Sequence, residues 1–174
     1  SCLEKYYTAA NEKGAYLIIA GPIDRCQASQ YDSSTNTWSS TLGGFSDKGK
    51  QFVEEKIAAG AEDIAFVDLN APTIDWFESL TENTLSQNSV HYYFMTDTGG
   101  GTDTTHPNDA GIDKFASLFF EGAKAVVDAN TAVQANVLSG LVENMSQEQA
   151  VAVSEDIIAL GKAPNAAWPV TPIA

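Results

Sequence analysis

The chain has 174 residues, 44% apolar and 10% aromatic, enough to bury a single core and so to form one domain or part of one. Nine basic against 23 acidic residues give a net charge of −14, which argues against a nucleic-acid surface, because phosphate binding needs clustered Lys and Arg. The acidic residues never run longer than a pair, the pattern of a solvated surface, and no apolar run approaches the about 20 residues of a membrane span.

Taken in chain order, residues 3–13 are expected to form a helix that stops at Gly14. The short apolar run 15–20, closed by Gly21-Pro22, reads as a buried strand. Residues 24–44 are a long polar connection carrying Tyr31 and Trp38, and a connection of that length is usually functional or disordered. Ser46 is expected to cap the next helix, with Phe52, Val53 and Ile57 on its apolar face and Gly60 as its stop. Residues 64–69 read as a second buried strand ending near Asp68, and Pro72 opens a helix over about 73–80. Residues 81–105 read as irregular. Asn108 then caps a long helix whose apolar positions, among them Ile112, Phe115, Phe119 and Val126, keep the helical period. Two more helices are expected over roughly 133–142 and 147–160, followed by an extended arm with Pro164, Pro169 and Pro172. Helix–strand alternation implies an α/β layered fold with a parallel sheet, and two strands are too few to close one.

Cys2 and Cys26 are expected to be disulfide-bonded, to each other or to a segment outside this chain; the alternative is two buried thiols. A bridge between them would stabilise by about 3 kcal/mol on the chain-entropy model. The acidic balance, the Ser/Thr/Asn-rich loops and the sequon Asn144-Met145-Ser146 favour a secreted glycoprotein with Asn144 as acceptor. No signal peptide is visible, and a start at Ser1 rather than Met reads as a processed or truncated N-terminus.

The chemistry concentrates in Asp103-Thr-Thr-His106-Pro107-Asn108-Asp109-Ala-Gly111. A His three residues after an Asp lets the carboxylate hold one ring nitrogen while the other faces a substrate, the arrangement a general base needs. His91, ahead of Tyr92-Tyr93-Phe94, reads as a packed residue. Asp97, Asp103, His106 and Asp109 lack the spacing of a calcium loop, and catalytic zinc wants two or three His where one lies here, so no metal or other cofactor is expected. Trp38, Tyr31 and Trp76 are candidates to stack on sugar rings or, equally, to pack locally.

That block resembles the Asp-x-x-His-Pro-Asn-x-x-Gly signature of the SGNH (GDSL-type) hydrolases, which are esterases and lipases. Lys13-Gly14-Ala15, Pro22, Phe52-Val53-Glu54, Val67-Asp68 and Tyr93-Phe94 through Asp97 are most similar to fungal rhamnogalacturonan-acetylesterase-like members. The resemblance runs from about residue 3 to 127. It implies a three-layer α/β SGNH-like parallel sheet to which this chain supplies only the last strands and the closing helices. Residues 1–128 would then be the C-terminal half of the hydrolase domain, and residues 129–174 a helical tail and Pro-rich arm. By the same resemblance His106 is the base and Asp103 the acid of a triad. No Gly-Asp-Ser and no Gly-x-Asn-Asp occurs in the chain, so the nucleophilic serine and the oxyanion donors are expected on an N-terminal segment or separate chain of the same precursor. The expected activity is hydrolysis of a carbohydrate or short-chain acyl ester, with the isolated chain inactive; the alternative is a non-catalytic binding or structural remnant of the fold.

Overall fold

The apolar runs flagged in the sequence pair with each other in the computed structural model, which describes residues 2–80, 89–96, 102–129 and 132–144. Strand β1 (Leu17–Ala20) lies parallel to β4 (Ile64–Val67), with Leu17 opposite Ile64 and Ala20 opposite Val67. Parallel neighbours need a long crossover, and here it contains the short strands β2 (Tyr31–Asp32) and β3 (Thr37–Trp38) and the helix α2 (Gly43–Ala58). Helix α1 (Cys2–Glu12) precedes β1 and stops at Gly14, whose φ of 62° is the left-handed value a glycine adopts without strain.

Strand alternation sorts the pair's side chains onto two faces. Leu17, Ile19, Ile64 and Phe66 meet Val53 of α2 and Tyr7 of α1. Ile18, Ala65 and Val67 meet Ala123 of α4 (Asp109–Asp128) and Val137 and Leu138 of α5 (Ala132–Asn144). All four residues of β4 are buried, as expected of a strand covered on both faces. Close packing of the α4 layer needs Gly122, where a Cβ would come within 2.9 Å of Val67 Cγ1. Among the described residues no helix is long and apolar enough to cross a membrane.

A second core, rich in aromatic rings, lies beneath the loops. Trp38, Phe77, Phe94, Phe115 and Cys26 are buried in it together. Edge-to-face pairs hold it, with ring centroids 5.7 Å apart for Trp76 and Phe115 and 6.1 Å for Phe77 and Phe94. Of the rings considered for sugar stacking, Trp38 is buried here, and Tyr31 and Trp76 pack half-buried against the cluster.

The connection expected over 24–44 is organised around one buried carboxylate. Asp24 accepts hydrogen bonds from the side chains of Gln30, Ser40, Thr41 and Asn70 and from the N–H groups of Arg25, Thr41 and Leu42. The β2–β3 hairpin is pinned in turn to α3 (Asn70–Ser79), because Trp38 N–H donates to Glu78 Oε1 and Asn36 Nδ2 to Glu78 O.

Two expectations are corrected. Ser46 is not the cap of its helix: α2 begins at Gly43, and the Ser46 hydroxyl turns inward to donate to Asp68 Oδ1 at 2.8 Å. That bond ties α2 to the carboxyl end of β4, and Ser40 Oγ accepts instead from the first helical N–H, that of Gly43. The disulfide is absent: Cys2 and Cys26 are both free thiols and too far apart to pair. Cys2 stands exposed at the start of α1, whereas Cys26 is sealed in the aromatic core with its N–H donating to Thr104 O. The bridged pair expected for a secreted chain therefore loses its structural basis.

The two thiols should differ sharply in reactivity. Burial pushes the Cys26 thiol up to about 12, and Sγ sits 3.6 Å from Nδ1 of His91, whose own pKa burial lowers. Both groups are therefore neutral near pH 7, and only a thiolate attacks an alkylating reagent. Iodoacetamide applied to the folded protein without reductant should label Cys2 within minutes and Cys26 only after denaturation. Equal labelling of both in the folded state would show that the aromatic core does not close over Cys26.

Candidate functional site

His106 lies on β6 (Thr102–Pro107), which pairs antiparallel with β5 (Phe94–Thr96). The sequence reads as irregular there because Thr102-Asp-Thr-Thr-His-Pro has no apolar alternation. A bulge between Phe94 and Thr96 breaks the register as well. Asp97 lies outside the described residues.

Asn108 supplies the local frame. Its Oδ1 accepts from Gly111 N–H at 3.0 Å, which caps α4, while its Nδ2 donates to the carbonyls of Tyr92 and Phe94. Its N–H donates to Tyr93 O. One side chain thus locks the start of α4 to the 3₁₀ turn Val90–Tyr93 and to β5. Gly111 is needed for the same reason, since a Cβ there would come within 2.1 Å of Tyr93 O, and backbone cannot give way as a flexible side chain can. Gly111→Ala should therefore lower stability by about 1–3 kcal/mol, the range of overpacked sites. A urea midpoint unchanged from wild type would show that this approach is not close.

Asp103 and His106 come together as the spacing requires. Asp103 Oδ2 lies 2.7 Å from His106 Nδ1, and Asp103 Oδ1 accepts from the N–H groups of Thr105 and His106. The bond from the His106 ring, followed by those two backbone donors, holds the Asp103 carboxyl down at about 2. An ionised carboxylate only accepts, so in the neutral ring the proton sits on Nδ1 and Nε2 is left as an acceptor. The His106 side chain is 70% exposed, and Nε2 makes no hydrogen bond to a described residue. This is an oriented, solvent-facing base. Cys26 N–H donating to Thr104 O joins its loop to the chain leaving β1.

The other half of such a site is missing from the described residues: no serine hydroxyl bonds His106, and no nucleophile elbow is evident. Ser46, the buried serine near the ends of β1 and β4, is committed to Asp68. Among the described residues no three His, Cys, Asp or Glu side chains gather as a metal-holding cluster. Asn144 ends α5, and the remainder of its sequon lies outside the described residues, as do the helix expected over 147–160 and the Pro-rich arm. The buried tie of Asp24 to Asn70 leaves little trace in the sequence, whose one signal is an acidic residue after Gly21-Pro22-Ile23 with Ser40-Thr41 downstream. Comparison with protein-family models, with characterised sequences and with solved structures returns no match.

Proposed function

We propose that Asp103 and His106 are the acid–base pair of a secreted serine ester hydrolase of SGNH type, acting on a carbohydrate or short-chain acyl ester. The nucleophilic serine and oxyanion donors come from an N-terminal segment or separate chain of the same precursor. The observation that carries this reading is the 2.7 Å Asp103–His106 contact with Nε2 left open on an exposed ring.

In the reaction, the serine O–H gives its proton to His106 Nε2 as its oxygen attacks the ester carbonyl carbon. The C–O bond to the alcohol then breaks, and His106 returns the proton to the leaving alkoxide. A water repeats the sequence on the acyl-enzyme, releasing the carboxylic acid and restoring the serine. Asp103 keeps the ring in its productive tautomer and stabilises the imidazolium formed in each half.

Turnover of p-nitrophenyl acetate tests the reading. The protein as isolated from its natural source should hydrolyse the ester, and the 174-residue chain expressed alone should not. Asp103 stays ionised down to about 2, so it keeps accepting from the His106 ring throughout the pH range of the assay. Absence of turnover in the natural preparation would favour a second reading, a non-catalytic remnant that keeps the loop for its frame. The lack of a serine bonded to His106 among the described residues is the observation on its side.

A further inference from the structure

Arg25 is the only arginine in the chain, and it stands half-buried where the backbone leaves the carboxyl end of β1. Its Nε is buried and meets no hydrogen-bond acceptor. Among the described residues its guanidinium joins no ion pair either, although the chain carries 23 acidic residues. A buried donor without an acceptor costs more than a made hydrogen bond contributes, so a partner is expected for it.

Three carboxylates lie at this end of the sheet, and each is committed to other donors. Asp24 takes the Arg25 N–H but not its guanidinium, and Gln30, Ser40, Thr41, Leu42 and Asn70 fill the rest of it. Asp68 accepts from Ser46 Oγ and Asn70 N–H. Asp103 accepts from the His106 ring and from the N–H groups of Thr105 and His106. The main chain of Arg25 is fixed on both sides, by its own N–H to Asp24 and by Cys26 N–H to Thr104 O at 3.1 Å. The arginine is thus anchored beside the strand that carries Asp103 and His106, with its guanidinium unspent.

We propose that Arg25 is the receptor for the carboxylate of a small ligand bound at the carboxyl end of the β1–β4 pair. Nε and one Nη share an edge of the guanidinium and present two parallel N–H donors, which match the two oxygens of a carboxylate. The orphaned donor is one of those two. A planar monoanion suits the place better than phosphate does. The second negative charge of phosphate would be set among Asp24, Asp68 and Asp103, in a chain of net −14. The site stands on the unpaired donor and holds whether or not His106 serves an ester.

A single arginine gives a single arginine Nε–H signal in a nitrogen-edited proton NMR spectrum, so the donor can be watched directly in the intact protein. At pH 7 and constant ionic strength, titration with sodium acetate should move that signal along a saturating curve and raise Tm, and sodium chloride should do neither. Arg25→Lys keeps the charge but lacks the paired donors, and it should weaken acetate binding at least about tenfold, read from the Tm series. If that variant fails to fold, the titration of the unaltered protein decides by itself. An Nε–H signal that acetate leaves in place, or that chloride moves equally, would overturn the proposal. A signal unmoved and protected from solvent exchange would assign Nε to a bond inside the protein, through a buried water or another part of the chain. A larger response to inorganic phosphate than to acetate would equally overturn it and give the arginine to a tetrahedral anion. Acetate affinity unchanged in Arg25→Lys would place the anion elsewhere on the molecule.

Discussion

His106→Ala should abolish acetyl-ester turnover in the completed protein, a loss of at least about 10⁴-fold, while the fold stays intact. The ring is exposed, and among the described residues its side chain bonds only Asp103, so its removal opens no cavity. A triad base acts with the nucleophile as one unit, and losing it leaves only what binding and oxyanion stabilisation contribute. Asp103→Asn should cost about 10⁴-fold, because the amide can donate to Nδ1 and so hold the proton on Nε2, the wrong nitrogen. The two variants together should be no worse than His106→Ala alone. Steady-state kinetics on p-nitrophenyl acetate checks all three. Near-normal turnover in His106→Ala would return the Asp103–His106 contact to a structural role.

The largest effect on stability is expected at Asp24. This carboxylate is about 1% exposed, and it satisfies the side chains of Gln30, Ser40, Thr41 and Asn70 together with three backbone N–H groups. Asp24→Ala strands those donors away from water at about 1–3 kcal/mol for each left unpaired. A loss above about 4 kcal/mol is expected, enough to unfold a marginal domain. Burial pushes the Asp24 carboxyl up, but the bonds from Ser40, Asn70, Arg25 N–H and Thr41 outweigh it and hold it well below the usual carboxylate range. A depressed folded value means the unfolded state binds the proton more readily. The contribution is therefore complete above the unfolded value of about 3.9 and is lost as pH falls below it toward the folded one. Urea melts at pH 7 and pH 3 should show wild type losing stability with acid and Asp24→Asn losing less. A drop below about 1 kcal/mol in Asp24→Ala at pH 7 would mean that the loop holds without its carboxylate.

Much of the frame was legible because its signals are local. Gly14 stops α1, the apolar runs give β1 and β4, and Asn108 caps α4, each set by a few neighbouring residues. Asp103 and His106 were legible for the same reason, since they lie three positions apart and the turn between them closes through Thr105 N–H. What escaped depends on tertiary partners. The start of α2 moved because Ser46 finds Asp68 across the sheet end, a contact no local pattern announces. The β5–β6 pair is polar and bulged, and β2 and β3 are two residues each, too short for periodicity to register. The bridge between Cys2 and Cys26 failed because two cysteines in one chain say nothing about direction, and Cys26 turns into the aromatic core. Gly111 was visible as part of a motif, but the carbonyl of Tyr93 that demands it was not.

The central claim is that His106 serves a serine that lies outside this chain. A fluorophosphonate probe, which forms a covalent bond only with an activated serine, tests it most directly on the protein as isolated from its natural source. The expected result is one labelled serine, mapped by peptide mass spectrometry to a segment other than residues 1–174, with labelling lost in His106→Ala. Labelling of a serine within residues 1–174, labelling that survives His106→Ala, or no labelled serine in an ester-hydrolysing preparation would contradict it.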